Sequence, residues 1–275
     1  MIIDAHQHLW TADYAWLADP SLSAIRRDYT LADLRGEMAL AGVDRTVLVE
    51  AGRGEAAETT DFLALAWSAP EIAGVVGWAS LTSPALASEL DRHRAGAGGR
   101  LLVGVRDQVQ GENDTYLDRG DVREGLATVA SAGLVNELVV RASQLPSVAR
   151  AVASLPSSTF VLDHLGKPAI ADGGLAPWRA LIEPVAALPN VVAKVSGLVS
   201  ESSWSSWKPA DLAPYVDAAL ELFGPRRLMW GSDWPVLEVA ATYPQVKEVV
   251  TDLLGGEDPD VFGGTAIRTY HLEIM

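Results

Sequence analysis

Eight short apolar segments, rich in β-branched residues, recur along the whole chain of 275 residues. Segments of this kind predict buried strands, and the longer stretches between them carry helical patterns. The predicted strands are Met1–Asp4, Arg45–Glu50, Ile72–Ala79, Leu101–Arg106, Leu134–Val140, Thr159–Asp163, Val191–Val195 and Leu228–Trp230. Examples of the predicted helices are Leu31–Ala41, Thr59–Ala69, Val122–Ala132, Leu145–Leu155, Pro177–Leu188 and Leu212–Leu222. Strands that alternate with helices of this length indicate parallel βαβ units, because a parallel return requires a crossover.

The number of these units favours a closed barrel over an open sheet. Near-continuous apolar strands are typical of a sheet that is buried on both faces. Eight such units in 275 residues predict an α/β fold, a (β/α)8 TIM barrel, with residues 1–275 as a single domain. No Gly-x-Gly-x-x-Gly follows the first strand, which argues against a dinucleotide-binding sheet. We expect Ser200–Pro209 to be a long loop after the seventh strand.

Charge and cysteine content narrow the classes of partner. The chain has 36 acidic and 21 basic residues, a formal net charge of −15, which disfavours nucleic acid and anionic membranes as partners. There is no cysteine, so disulfides and thiolate metal sites are excluded. We see neither a signal-peptide pattern at the start nor an apolar run near the roughly 20 residues of a membrane span. We therefore expect a cytoplasmic protein that acts on a small-molecule substrate; the pattern leaves its oligomeric state open.

Nearly all the unusual polar residues lie at the carboxyl ends of the predicted strands. In a (β/α)8 barrel these ends meet at one face, and that face carries the active site. Residues that are far apart in the sequence are therefore expected to converge there. They are His6 and His8 on the first strand, Arg106 on the fourth, His164 on the sixth, Lys194 and Ser196 on the seventh, and Asp233 after the eighth.

The candidate catalytic residues are His6, His8, His164 and Asp233. Side chains at i and i+2 of a strand point the same way, so His6 and His8 can share one metal ion or one carbonyl. Asp233 stands between two tryptophans, where a buried carboxylate needs a partner such as a metal or the histidines. The structural alternatives are a hydrogen-bonded histidine pair and a helix-capping aspartate. His164 can polarise a carbonyl, bind a metal, or pair with Asp163.

Other residues are candidates for substrate binding or for structural roles. The fork of Arg106 suits a carboxylate or vicinal hydroxyls, but it could instead pair with Asp107, Glu112 or Asp233, and Lys194 is equally ambiguous. Aromatic faces at a barrel mouth suit the C–H faces of a sugar, although tryptophan is also a common core residue. The four tryptophans that follow predicted strands are Trp10, Trp78, Trp204 and Trp234. We predict that the remaining histidines, His93 and His271, are exposed to solvent.

Six sequence segments occur together in one order along the chain. Together they closely resemble the amidohydrolase-related enzymes that open sugar lactones, the L-fuconolactonase and L-rhamnonolactonase-like group. The resemblance covers essentially the whole chain, and the combination is far more specific than any single string. The segments are Asp4–Trp10 (DAHQHLW), Val103–Arg106 (VGVR), Leu162–Pro168 (LDHLGKP), Lys194–Leu198 (KVSGL), Met229–Val236 (MWGSDWPV) and Phe262–Leu272 (FGGTAIRTYHL).

The resemblance implies hydrolysis of an aldono-1,4- or 1,5-lactone to its free acid. Asp233 would activate water, and the cluster of His6, His8 and His164 would polarise the carbonyl, with or without one divalent metal. Arg106 and the neighbouring tryptophans would bind the substrate. Related activities are the alternatives: hydrolysis of a pyrone- or muconolactone-type lactone, or metal-dependent decarboxylation. The non-enzymatic alternative is a silent carbohydrate-binding barrel.

Two departures from the pattern of the superfamily affect these expectations. Binuclear members have a bridging lysine or glutamate on strand four and a histidine on strand five, whereas this chain has Arg106 and no histidine there. At most one metal is therefore expected, a zinc-like ion on His6, His8 and Asp233, and members of the lactonase branch work without one. A histidine usually follows the VGVR arginine, whereas this chain has Asp107, an anion that we place among the substrate-binding candidates.

Overall fold

Eight parallel strands form one sheet in sequence order in the computed structural model, which describes residues 1–274. Each strand pairs in parallel with the next, from β1 with β2 to β7 with β8. Two of the predicted strands, the seventh and the eighth, have the same bounds in the structure. The strands are β1 Ile3–Gln7, β2 Arg45–Val49, β3 Ile72–Trp78, β4 Leu102–Asp107, β5 Val135–Leu138, β6 Phe160–Leu162, β7 Val191–Val195 and β8 Leu228–Trp230.

Helices alternate with the strands and pack outside the sheet. The first predicted helix has the bounds predicted from the sequence, and the other five are shifted by one to three residues at their ends. Three further helices, α3, α8 and α9, lie outside these six segments. Over residues 1–274 the helices are α1 Leu31–Ala41, α2 Ala56–Ser68, α3 Leu86–Ala95, α4 Gly120–Ser131, α5 Leu145–Ser154, α6 Leu175–Ala186, α7 Pro209–Phe223, α8 Tyr243–Leu253 and α9 Thr265–Tyr270. The (β/α)8 barrel is confirmed, and none of the helices in this part of the chain is long and apolar enough to span a membrane.

Backbone and side-chain bonds join the first strand to the last and close the barrel. The Asp233 amide donates to the His6 carbonyl at 2.8 Å, and the His8 amide donates to the Trp234 carbonyl at 2.7 Å. Deeper down, the buried Asp4 carboxylate accepts hydrogen bonds from the amide and hydroxyl of Ser232, at 2.8 and 2.6 Å. The closure therefore fixes the end of β1 against the segment that carries Asp233.

The first strand contains an irregularity that changes which residues face inward. Asp4 pairs with Thr46 and Gln7 pairs with Leu48, so β1 has one more residue than β2 between these two pairs. An extra residue of this kind interrupts the simple alternation of side chains. Consequently Ala5 packs in the interior apolar cluster and the adjacent His6 also reaches the interior charged groups.

The core has two parts, separated by the sheet. One apolar cluster fills the barrel interior with small and branched side chains such as Ala5, Val47, Val161 and Met229. Tyr270 of α9 belongs to this cluster and donates to the Glu137 carboxylate at 2.5 Å. The larger cluster lies between the outer faces of the strands and the helices. The interior core occupies one end of the barrel, and polar side chains occupy the other.

Two details differ from the sequence predictions. The first strand was predicted at Met1–Asp4 but spans Ile3–Gln7, and the polar side chains of Asp4, His6 and His8 find buried partners. His93 was predicted to be exposed but is only 8% exposed, since α3 packs this face against α2, where Thr60 lies 3.4 Å from its ring nitrogen. His271 is exposed as predicted, and residues 200–208 form the predicted loop after β7.

Candidate active site

A cavity of about 370 Å³ opens at the carboxyl ends of the strands. Its wall contains most of the predicted site residues, so side chains from sequence-distant strands converge as expected for a barrel. The predicted residues that line it are His8, Trp10, Arg106, His164, Trp204 and Asp233. Further wall residues include Trp16, Gln108, Gln110, Lys167, Ser200 and Glu201.

His6, His8 and Asp233 form a compact group beneath this cavity. The Nε2 atoms of His6 and His8 lie 3.1 Å apart. Asp233 Oδ1 lies 3.8 Å from His6 Nε2 and 3.5 Å from His8 Nε2. All three side chains are buried. The donor set is two imidazoles and one carboxylate, with the possible ligand atoms within 4.8 Å of one another.

The hydrogen bonds of His8 indicate what this group can bind. Its Nδ1 lies 2.9 Å from the Val49 carbonyl, which can only accept, so Nδ1 carries the proton. The Nε2 of a neutral His8 is then an acceptor that faces the His6 Nε2 at 3.1 Å. Such an arrangement requires either a proton on His6 or a shared cation. With Asp233 beside it, the group fits one divalent ion of the zinc type.

His164 is held from two sides next to this group. Ser196 Oγ lies 2.9 Å from Nδ1, and Nε2 lies 3.9 Å from Asp233 Oδ1. If the Ser196 hydroxyl donates to Nδ1, the neutral ring presents an N–H at Nε2 toward the cavity. Burial lowers the pKa of His164 to about 4, although the Asp233 charge opposes it, so the ring is neutral at pH 7.

Two candidate catalytic residues have left-handed backbone conformations. His164 has φ 52° and Asp233 has φ 62°, and neither residue is a glycine. Such positions cost free energy and are found preferentially at functional sites. Gly197 packs against both residues: a Cβ there would lie 2.6 Å from His164 Nδ1 and 3.2 Å from an Asp233 oxygen. Glycine is therefore required at 197 for the two side chains to meet.

Asp233 is buried among partners that keep it ionised. Burial raises the pKa of its carboxyl, but His164, His8 and His6 together outweigh burial and hold the pKa below its ordinary value. The carboxylate thus remains negative at neutral pH, as a general base must.

Below the mouth lies a set of ionisable side chains that we call the buried charge layer. Arg106 donates to a Glu50 oxygen at 2.5 Å and to Asp163 at 2.9 Å, and the Lys194 ammonium lies 2.6 Å from Glu137. These five side chains are at most 5% exposed. The layer, defined as Glu50, Arg106, Glu137, Asp163 and Lys194, carries three carboxylates and two cations.

The layer supports His6 from below. His6 Nδ1 lies 3.1 Å from the Lys194 nitrogen and 3.2 Å from Asp163 Oδ1. Arg106 Nη1 lies 3.3 Å from the other ring nitrogen. Burial is the largest cause that lowers the pKa of His6, so the ring is held neutral in spite of Asp163. The layer therefore fixes the orientation of His6.

The structure places four of the predicted substrate-binding residues outside the cavity wall. Lys194 is fully buried in the charge layer, because two carboxylates draw it below the mouth. Trp234 is 1% exposed and donates to Glu238 at 2.9 Å, as a core residue. Asp107 accepts from the Leu81 amide at 3.0 Å and turns away from the cavity. Trp78 lies outside the cavity wall, where Gln108 forms that side.

Arg106 is present in the wall but with different partners from those expected. The sequence suggested pairs with Asp107, Glu112 or Asp233, whereas the observed partners are Glu50 and Asp163. Glu50 and Asp163 both follow or end predicted strands, so strand ends were a signal that could have found them. Lys167 and Glu201 lie in loops and had no such signal; they were also missed.

A barrel of this topology, with buried imidazoles and an ionised aspartate at the carboxyl ends of its strands, is typical of a (β/α)8 enzyme with its active site at that face. The comparisons with known proteins specify the family. The model of the amidohydrolase family matches residues 3–272, and the chain belongs to this family. It is an enzyme of the hydrolase class.

Two relatives and one solved structure are closely similar over nearly their whole length. The chain is 39% identical to an L-fucono-1,5-lactonase of Burkholderia multivorans over 98% of this chain and 96% of that protein. It is 33% identical to an L-fucono-1,5-lactonase of Burkholderia ambifaria, with the same coverage. A crystal structure of an amidohydrolase from Burkholderia multivorans with bound zinc has a TM-score of 0.93 at 38% identity, covering 99% of this chain and all of that one.

Proposed function

We propose that this protein hydrolyses a neutral sugar lactone, an aldono-1,4- or 1,5-lactone, to its open acid. The observation that carries this proposal is that both cations in the cavity wall already have carboxylate partners. Arg106 is bonded to Glu50 and Asp163, and Lys167 lies 3.7 Å from Glu201. A substrate without charge fits such a wall, because it requires no uncompensated cation.

The same electrostatics distinguish the proposal from its rivals. A pyrone dicarboxylate or an aromatic acid brings one or two carboxylates, which need free cations for binding. Asp233 adds a further negative charge next to the cavity. An anionic substrate would therefore be disfavoured, whereas the acid formed from a neutral lactone would be repelled and released.

Aromatic side chains in the wall support a sugar as the substrate. Trp10 and Trp16 pack edge to face, with ring centres 5.0 Å apart, and Trp204 is 37% exposed at the rim. Their apolar faces complement the C–H groups of a sugar ring. The two relatives named L-fucono-1,5-lactonases support the same substrate class.

In the proposed mechanism Asp233 is the general base. Its carboxylate accepts a proton from a water molecule as the water oxygen attacks the carbonyl carbon of the lactone. The His164 Nε2–H donates a hydrogen bond to the oxygen of that carbonyl as negative charge develops on it. The ring C–O bond then breaks, and the proton held by Asp233 passes to the leaving ring oxygen. One water is consumed, and the product is a hydroxy acid.

The residues also fit a metal ion, as their donor set and the unshared pair on His8 indicate. His6, His8 and Asp233 would hold one divalent ion, for which we propose zinc. When bound, it would supply Lewis-acid polarisation of the carbonyl. Without it, Arg106 and the histidines provide the positive and hydrogen-bonding groups near that oxygen.

Acid release from a panel of aldono-lactones, followed with a pH indicator, tests the proposal. The purified protein would be assayed before and after chelation and again with zinc added. We expect hydrolysis of one or a few neutral sugar lactones and none of pyrone dicarboxylates. Survival of activity after chelation would assign polarisation to the side chains. Silence on all neutral lactones in the presence of zinc would overturn the proposal.

A further inference from the structure

One ion pair in the cavity wall differs from all the charges beneath it. Lys167, in the loop after β6, and Glu201, in the loop after β7, both line the cavity. Their charged atoms are 3.7 Å apart, and the two side chains are 26% and 27% exposed. They are thus accessible to a molecule bound in the cavity.

The distance between Lys167 and Glu201 leaves hydrogen-bonding capacity on both charged groups. A direct hydrogen bond between an ammonium and a carboxylate is about 2.7–2.9 Å long. In the buried charge layer the Lys194–Glu137 contact is a direct bond, at 2.6 Å. The 3.7 Å between Lys167 and Glu201 is longer. One strong donor and one strong acceptor therefore stand side by side with capacity for a further partner.

The backbone holds both residues firmly beside the candidate catalytic groups. Lys167 ends a turn that begins at His164, and its amide donates to the His164 carbonyl at 2.9 Å. His164, Leu165 and Lys167 all have left-handed backbone angles, with φ between 51° and 53°. The left-handed conformation costs about 1–2 kcal/mol for each residue that is not glycine. Such a turn persists because surrounding contacts impose it, and it carries His164 and Lys167 to one cavity.

Glu201 is fixed to the same structure from the neighbouring loop. Its amide donates to the Gly197 carbonyl at 3.3 Å, and Gly197 contacts His164 and Asp233. Its carbonyl accepts from the Ala171 amide at 3.1 Å, which ties the two loops together. The pair is therefore placed at a fixed position relative to the reacting groups.

We propose that Lys167 and Glu201 form a hydroxyl clamp that recognises two neighbouring hydroxyls of the lactone ring. The ammonium donates to the oxygen of one hydroxyl, and the carboxylate accepts the proton of the other. A hydroxyl is both donor and acceptor, so adjacent hydroxyls match this pair, whereas an unsubstituted ring leaves it unused. The clamp rests on the proposed function and specifies its substrate class: lactones that carry a vicinal diol.

The clamp is tested with Lys167→Met and Glu201→Gln, which remove one charge each and keep the size of the side chain. The measured quantity is the ratio of kcat/KM for a polyhydroxylated sugar lactone to kcat/KM for unsubstituted δ-valerolactone. We expect this ratio to fall about 10- to 100-fold in each variant, the range for loss of a hydrogen bond to a charged group. In the double variant the losses should be less than additive, because both residues serve one diol.

A matched pair outside the cavity provides the control. Lys247 and Glu257 form an ion pair between α8 and the segment after it. Lys247→Met and Glu257→Gln should leave the ratio within about threefold of the starting protein. If the clamp variants change both substrates equally, or neither, while the starting protein hydrolyses sugar lactones, the clamp is wrong and the proposed function stands. A starting protein inactive on every lactone would overturn both.

Discussion

The barrel contains two groups of ionisable side chains that differ in exposure and in contact distance. The buried charge layer is at most 5% exposed, and its members meet at distances of 2.5–2.9 Å between Arg106 or Lys194 and their nearest carboxylates. The pair of Lys167 and Glu201 is about one quarter exposed and stands 3.7 Å apart. Charged groups whose hydrogen bonds are made within the protein can position a neighbour, whereas a compensated pair with hydrogen-bonding capacity left can bind a neutral ligand.

Because the two groups differ in burial, they also contribute differently to the stability of the fold. A buried pair recovers its desolvation cost only through close hydrogen bonds, so removal of one partner leaves an uncompensated charge. A partly exposed pair is screened by water and contributes little. We expect substitutions in the layer to affect folding, and substitutions at the rim to affect substrate selection.

The largest expected effect concerns Asp233, which lies between the two groups. Asp233→Asn keeps the size of the side chain but removes the base, so we expect kcat to fall about 1,000-fold or more while the fold is retained. Steady-state kinetics on the best sugar lactone, with circular dichroism of both proteins, measure this. Asp107→Asn is the matched control, because Asp107 turns away from the cavity. Near-normal turnover in Asp233→Asn would exclude it as the base.

The next test compares lysines of the two groups directly. Lys194→Met leaves Glu137 and Asp163 without their shared cation, and we expect the free energy of unfolding to fall by about 3–5 kcal/mol. Lys167→Met removes an exposed partner, and we expect a loss of about 1 kcal/mol or less. Urea denaturation measures both. Equal losses would contradict the division into a supporting layer and an open pair.

Ser196 tests how strongly the support of a catalytic ring affects turnover. Its hydroxyl lies 2.9 Å from His164 Nδ1, and its loss frees the ring to adopt the other tautomer. We expect Ser196→Ala to lower kcat about tenfold, the equivalent of one hydrogen bond of 1–1.5 kcal/mol. Ser202→Ala serves as the control, since this buried hydroxyl donates to the Val199 carbonyl within the same loop. A fall in both variants would indicate a general effect of the loop.

The sequence predicted the strands and helices of the barrel better than the loop residues that line the cavity. Periodicity and the apolar runs gave β7, β8 and α1 with their observed bounds, because these elements are defined by local patterns. Convergence at strand ends correctly brought His8, His164 and Asp233 to one cavity. The roles of these residues remain predictions.

What the sequence could not reveal depends on contacts between distant residues. Lys194 was predicted to bind substrate because a lysine at a strand end gives no sign of the Glu137 and Asp163 that bury it. Glu201 is in a loop, where no periodicity applies, and its position depends on a turn more than thirty residues earlier. Pairings of this kind are set by the three-dimensional closure of the barrel and not by local propensity.

The smallest expected effect is a pH dependence of the free energy of unfolding, which we assign to Glu137 of the buried charge layer. Burial, with Asp163 adding to it and Lys194 opposing it, raises the pKa of Glu137 from 4.5 to about 7. The fold therefore favours the protonated carboxyl, and the resulting stability is complete below pH 4.5 and is lost as the pH rises through 7. Glu137→Gln lacks this contribution.

The unfolding free energy of Glu137→Gln should consequently lie further below that of the starting protein at pH 5 than at pH 8. We expect the gap to differ by about 1 kcal/mol or more between the two pH values, since one pKa unit corresponds to about 1.4 kcal/mol. Urea titrations at both pH values measure it. Glu257→Gln, at an exposed residue, should give a gap that is the same at both. A gap for Glu137→Gln that widens toward pH 8 would mean that the layer holds this carboxyl ionised, with Lys194 outweighing burial.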